Sequence, residues 1–199
     1  MSGQVGQKTI LWIENDTDLT KSMGRLLKAH LEPKGFRIEI ARNIAKALVK
    51  LQGHLEKYVA LIVDTMLPYD DDAMQEAERL ERDRGKLLDE AYKAAQAPSP
   101  SNEEARAKQS EIKAQIRAKI IAIDQQLDEL TDLEGGIYVL EQISAGGPKL
   151  KLLTIVLSAR SLKGLKEHAE DLVEPGKFYW VAKPTTAESV ISIIKEHCG

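Results

Sequence analysis

The sequence predicts an α/β protein built on a doubly wound (βα)5 parallel sheet, interrupted after its third strand by an antiparallel helical hairpin. Three observations lead there. Short apolar runs alternate with helical patterns, the signature of parallel strands joined by crossover helices. Two of those runs, VALIV and LLTIVL, are continuously apolar, as strands covered on both faces are. From Pro68 to Gly135 no strand pattern occurs, only charge, alanine and helical periodicity.

The five strands are expected at Thr9 to Ile13, Arg37 to Ala41, Val59 to Val63, Leu152 to Leu157 and Phe178 to Val181. Between and after them, helices are expected at Leu19 to Leu31, Asn43 to Leu55, Gly136 to Ser144, Leu162 to Ala169 and Thr185 to His197. Asn43 and Thr185 have the short polar side chains of N-caps, and Gly35 and Gly53 stand where helices should stop. Gly146-Gly147-Pro148 reads as a turn, because it precedes a strand and does not join a strand to a helix as a phosphate loop would.

The insertion divides in two. Ala73, Ala77, Leu80, Arg84, Leu87, Ala91 and Ala94 recur in steps of four and three, and so do Ile116, Ile120, Ile123, Leu127 and Leu130. APSPSN, Ala97 to Asn102, separates the two stripes with prolines and capping serines, so the chain is expected to reverse there as a coiled-coil hairpin. This sets an expected division into a (βα)5 domain, 1–69 with 133–199, and an inserted hairpin, 70–132. The segment from Asp70 to Glu134 holds 17 acids to 10 bases, leaving the remainder mildly basic. An acidic arm is a poor nucleic-acid ligand, and a net charge of −3 gives no general attraction to one, so no nucleic-acid partner is expected.

An apolar content of 43% in 199 residues suffices for a substantial core. No apolar run approaches the roughly 20 residues that cross a bilayer, so no membrane partner is expected. A single cysteine, and an N-terminus without a basic region followed by an apolar run, point to the cytoplasm.

In an open parallel sheet, ligands bind beyond the carboxyl ends of the strands. Glu14, Asp64, Ser158 and Lys183 all stand at such ends. Two carboxylates are hard oxygen ligands for Mg²⁺, a lysine ammonium neutralises a transferred phosphoryl group, and a hydroxyl bonds its oxygen. His30, His54, His168 and His197 lack metal-ligand spacing.

The runs ILWIEND, LIVDTMLP, IVLSAR and VAKP, in this order and at these strand ends, resemble the receiver domain of two-component response regulators. The resemblance covers Lys8 to Met66 and Gly135 to His197. It implies a flavodoxin-like fold with strand order 2-1-3-4-5, and Asp64 as acceptor of a phosphoryl group from a histidine kinase or phosphotransfer protein, with self-dephosphorylation afterwards. It also implies a Mg²⁺ site formed by Glu14, Asp64 and the Met66 carbonyl, with Asn15 a weaker candidate ligand. Ser158 becomes the switch hydroxyl, Lys183 the phosphoryl-binding lysine and Trp180 the switch aromatic, with a cis bond between Lys183 and Pro184. Output is expected through protein contacts, since the chain ends at HCG. The candidate surfaces are the hairpin and the face of the fourth and fifth core helices, and a second copy of the chain is a further candidate partner.

One departure stands out. Where such domains usually carry two acids after the first strand, this chain has Glu14-Asn15, and a neutral amide is a weaker Mg²⁺ ligand than a carboxylate. Asp16, next along, is expected to cap the first helix. Two function classes follow: a phosphorylated switch, and a pseudo-receiver that keeps the fold as an interaction module. An aspartate-nucleophile hydrolase of the haloacid-dehalogenase type is disfavoured, because it needs a second acid where this chain has Met66. A metabolic enzyme is not expected.

Overall fold

The computed structural model describes residues 7–97, 102–132, 134–145, 147–159 and 163–198. The chain divides into two compact units, one comprising the sequence up to Asp70 and from Asp132 onward, the other Asp71–Thr131.

The first unit is a five-stranded sheet formed by β1 (Lys8–Ile13), β2 (Phe36–Ala41), β3 (Tyr58–Asp64), β6 (Leu153–Ser158) and β7 (Phe178–Ala182). All neighbouring pairs are parallel, and the order β2-β1-β3-β6-β7 is the expected 2-1-3-4-5 of the flavodoxin-like fold. Five helices of this unit connect or follow those strands: α1 (Thr17–Leu31), α2 (Ile44–Leu51), α5 (Gly135–Ser144), α6 (Lys163–Asp171) and α7 (Ala187–Cys198).

The pleat divides the core into two layers, because successive side chains of a strand point to opposite faces. On one face Leu11, Ile13, Leu61, Val63 and Val156 pack with Ala47 and Leu51 of α2, Ile137 and Leu140 of α5 and Ala169 of α6. On the other, Ile10, Trp12, Ala60, Ile62, Ile155 and Leu157 pack with Met23, Leu27 and Leu31 of α1 and Val190, Ile191 and Ile194 of α7. Burial of each valine, leucine, isoleucine or methionine among them stabilises the fold by about 1.5–3 kcal/mol. Trp12 is wholly buried, and its indole N–H finds no hydrogen-bond partner among the described residues. An unmade bond of that kind costs about 1–3 kcal/mol, set here against a large apolar surface.

Local chemistry sets the helix ends. The Asp16 side chain accepts from the backbone N–H groups of Asp18 and Leu19, so it caps α1 as expected. Asn43 caps α2 by accepting from Lys46 N at 2.8 Å. Gly35 and Gly53 have φ of 84° and 72°, the left-handed region that side chains avoid, and each turns the chain toward the next strand.

Several expected boundaries move. The second helix ends at Leu51 and not Leu55, because Gln52 already has extended backbone, and Leu55–Lys57 form a separate 3₁₀ turn. The cap of α7 is Thr186, whose hydroxyl accepts from Ser189 N, one residue after the expected Thr185. The segment after Pro68 was expected to hold no strand. The structure places two short strands, β4 (Leu67–Pro68) and β5 (Thr131–Asp132), in a separate two-stranded sheet. Two-residue strands leave no periodic signal to read. The expected helix start at Leu162, Gly146 of the expected turn, residue 133 at the expected domain boundary and residues 98–101 of the APSPSN link lie outside the described residues.

The second unit is a helix pair, α3 (Asp71–Gln96) and α4 (Glu103–Leu130), of 26 and 28 residues, or about 39 and 42 Å. The short link between two helices packed along each other makes them antiparallel. Leu80 and Ile116 are buried, and every other residue of the two expected stripes is partly covered. Asn102 caps α4 through Ala105 N, and Arg84 Nε donates to Asp124 Oδ1 at 2.6 Å across the pair. That ion pair is exposed on both sides and contributes at most about 1 kcal/mol.

Candidate functional site

Three charged side chains meet at the carboxyl edge of the sheet. Glu14 follows β1, Asp64 ends β3 and Lys183 follows β7. By the alternation of the pleat all three continue the face that packs on α1 and α7. Lys183 Nζ lies 2.9 Å from Glu14 Oε2 and 3.1 Å from Asp64 Oδ2, so one ammonium bridges both carboxylates. The Glu14 side chain is fully buried and that of Asp64 8% exposed, while Lys183 keeps 20%, which leaves the cluster reachable from one side.

Burial is the main reason the Glu14 carboxyl is raised to about 7; Asp64 pushes in the same direction and Lys183 opposes it. Burial works against the Lys183 ammonium, yet Asp64 and Glu14 outweigh it and hold its pKa above the ordinary lysine value. With both carboxyls ionised, the three groups would carry one more negative charge than Lys183 neutralises. The Glu14 Oε1 oxygen accepts from Asp16 N at 3.1 Å, which ties the loop after β1 to the site.

The backbone around these groups is pinned. Glu14 N donates to Ala41 O, Thr65 N to Leu157 O, Gly136 N to Thr65 O, and Lys183 N to Ser158 O at 2.7 Å. The Lys183–Pro184 bond is cis, as the resemblance implied. Ser158 ends β6 and is 1% exposed; its hydroxyl accepts from Thr65 Oγ1 at 3.3 Å. Trp180 sits half-buried in β7, 6.5 Å from Phe178 between ring centres, on the sheet face toward α5 and α6.

Two residues of this site are absent from the sequence expectation. Thr65 follows Asp64 with no pattern of its own, although its hydroxyl lies in register with Ser158 on the neighbouring strand. Gly136 is expected only as the start of a helix. A Cβ on it would stand 2.0 Å from Asp64 O, so this glycine lets α5 begin directly against the end of β3.

Two buried carboxylates sharing one ammonium form a hard-oxygen donor set with uncompensated charge, which suits a divalent cation that takes one or two carboxylates and keeps water in its remaining positions. Among the described residues no group of three or more acidic, histidine or cysteine side chains is placed to hold a metal ion, here or elsewhere. That agrees with Asn15 in the place of a second acid. Asn15 is partly exposed, and Asp16, engaged as the cap of α1, does not replace it. Met66, two residues after Asp64, is partly exposed in the loop.

No protein-family model matches this sequence, and no curated protein matches it. Among solved structures the chain is similar to the signal receiver domain of a protein described as a Luxo repressor from Vibrio parahaemolyticus. Identity is 12%, with 96% of this chain and 89% of that chain covered and a TM-score of 0.49. It is also similar to a response regulator receiver domain protein from Clostridium thermocellum, at 13% identity, 96% and 93% coverage and a TM-score of 0.48. A third is the CheX-CheY-BeF3-Mg²⁺ complex from Borrelia burgdorferi, at 12% identity, 95% and 87% coverage and a TM-score of 0.48. The strand order and register carry the assignment of this chain to the flavodoxin-like fold.

Proposed function

We propose that the chain is a response regulator receiver that accepts a phosphoryl group on Asp64 in a Mg²⁺-dependent reaction and signals through protein contacts. The bridging of Asp64 and Glu14 by Lys183, at 3.1 and 2.9 Å, carries this reading. Two carboxylates and an ammonium in one partly open site support reading Asp64 as the nucleophile, Lys183 as the cation for the phosphoryl oxygens and Glu14 as the second acid.

An Asp64 carboxylate oxygen attacks the donor's phosphorus. The new O–P bond forms as the bond from phosphorus to the leaving group breaks, and a histidine donor departs as free imidazole. Lys183 turns from the two carboxylates to the phosphoryl oxygens. Hydrolysis resets the site: a water oxygen attacks the same phosphorus, the bond to Asp64 breaks and inorganic phosphate leaves. Glu14, Asp64 and the Met66 carbonyl would hold Mg²⁺, whose charge offsets that of the phosphoryl oxygens. A buried second carboxylate such as Glu14 fits that duty better than it fits an ordinary core position.

Asn15 favours one other reading, a pseudo-receiver that works as an interaction module without phosphoryl transfer. Intact-mass measurement after incubation with acetyl phosphate and Mg²⁺ separates the two. The switch gains the mass of one phosphoryl group, and Asp64→Asn gains none while keeping the far-UV spectrum of the parent. No gain in the parent or in Asn15→Asp makes the protein a pseudo-receiver. In either reading, the hairpin and the face of α6 and α7 are the surfaces proposed for a partner protein or a second copy of the chain. No helix among the described residues is long and apolar enough to cross a membrane.

A further inference from the structure

The site side chains fall on two different faces of the sheet. Asp64 pairs with Leu157, and Ser158 with Ala182, so Thr65 follows in register beside Ser158. Val63, Val156 and Trp180 belong to the layer under α5 and α6, and alternation carries Thr65 and Ser158 onto that same face. Ala60, Ile62 and Leu157 belong to the opposite layer, and alternation carries Asp64 there with Glu14 and Lys183. The Ser158 hydroxyl thus sits with Thr65 and Trp180, across the strand ends from the carboxylates.

The Thr65–Ser158 hydrogen bond is buried on both sides, with Thr65 3% and Ser158 1% exposed. The backbones that carry it are fixed: Thr65 N is bonded to Leu157 O, Thr65 O to Gly136 N, and Ser158 O to Lys183 N. The Ser158 side-chain torsion has three staggered wells, so its hydroxyl can be redirected without moving these backbones.

We propose that Thr65 is a positioning residue that latches the Ser158 hydroxyl on the α5 side of the sheet in the resting state, a role that rests on Asp64 being the phosphoacceptor. A phosphoryl group on Asp64 draws Ser158 across the strand end, and the hydroxyl exchanges Thr65 for a phosphoryl oxygen. The latch holds down the fraction of molecules whose serine is placed to receive the phosphoryl, and apparent affinity falls in proportion to that fraction. Removing one neutral hydrogen bond should therefore tighten binding of a phosphoryl mimic by about threefold to tenfold.

The test is a titration with beryllofluoride at fixed Mg²⁺, followed by tryptophan fluorescence, in the parent, Thr65→Val, Thr65→Ser, Ser158→Ala and Thr65→Val/Ser158→Ala. The latch gives a Thr65→Val protein that binds about threefold to tenfold more tightly than the parent. Thr65→Ser, which keeps the donor, stays within about twofold of it. With Ser158 already alanine, Thr65→Val changes nothing further, since only the pair is coupled. Unchanged or weaker binding by Thr65→Val, with the parent responding normally, overturns the latch alone, as does the same gain in the Ser158→Ala background. Weaker binding would mean that Thr65 supports the serine in its bound position. If neither the parent nor any variant responds to beryllofluoride, both the latch and the phosphoacceptor reading fall.

Discussion

The carbonyl oxygen of Asp64 occupies the place where a side chain on residue 136 would begin: a Cβ built on Gly136 falls 2.0 Å from it and 2.8 Å from a Val63 methyl. The amide of Gly136 also donates to Thr65 O, so the start of α5 is locked to the end of β3. Gly136→Ala must push the helix off the strand or shift the Asp64 backbone. A loss of about 3 kcal/mol in stability is expected, at the upper end of ordinary overpacking. Urea unfolding checks it. Gly85→Ala is the control, because its Cβ would meet nothing within 4 Å, and it should stabilise α3 by about 1 kcal/mol.

Much of the fold was legible because its signals are long. Strands of five to seven residues with apolar runs, alternating with amphipathic helices, leave few topologies, and the stripes at Ala73 to Ala94 and Ile116 to Leu130 mark the faces that the two long helices bury. What escaped was short or tertiary. The strand Thr131–Asp132 has two residues and no period, and α2 stops before Gly53 because Gln52 leaves helical geometry first. Glu14, Asp64 and Lys183 were legible as strand-end residues. Thr65 and Gly136 were not, because their roles arise from contacts with β6 and β3 that no local pattern encodes.

Asn15 sets the expected strength of metal binding. Replacing it with aspartate adds a carboxylate beside Glu14, and a unit charge a few ångströms from a divalent ion in high dielectric contributes on the order of 1–2 kcal/mol. Asn15→Asp should therefore bind Mg²⁺ about tenfold more tightly than the parent, as calorimetric titration at constant ionic strength would show. Equal affinities would place residue 15 away from the metal.

Glu39 provides a pH dependence independent of the site. Its side chain is 10% exposed and accepts from Lys57 Nζ at 2.7 Å, Lys50 Nζ at 3.2 Å and the Tyr58 hydroxyl at 3.2 Å. The Lys57 hydrogen bond, with Lys50 assisting and against the effect of burial, lowers its pKa to about 2 from an ordinary 4.5. A depressed carboxyl stabilises the fold above its unfolded pKa and loses that stabilisation as pH falls through the folded one. The stability difference between the parent and Glu39→Gln should be constant above about pH 5 and shrink steadily from about 4.5 toward 2. Denaturant unfolding at several pH values measures it, and a difference that grows on acidification would contradict the ion cluster.

The hairpin should be separable from the sheet. The two units are each compact by themselves, so joining Asp70 to Asp132 through a short glycine-containing loop should leave a folded five-stranded domain that still binds beryllofluoride. Circular dichroism and the same fluorescence titration check this. Failure to fold would make the hairpin part of the core, whereas retained folding with loss of self-association would make it the contact surface.

The destination of the phosphoryl group is the most direct test of a metal-dependent site at Asp64. After incubation with acetyl phosphate and Mg²⁺, reduction with borohydride converts an aspartyl phosphate to homoserine, and peptide mass mapping then locates it. The expected result is a single modified residue, Asp64, absent when a chelator is added before the donor. Modification at any other residue, or at Asp64 to the same extent with the chelator present, would contradict a metal-dependent phosphoacceptor built from Glu14, Asp64 and Lys183.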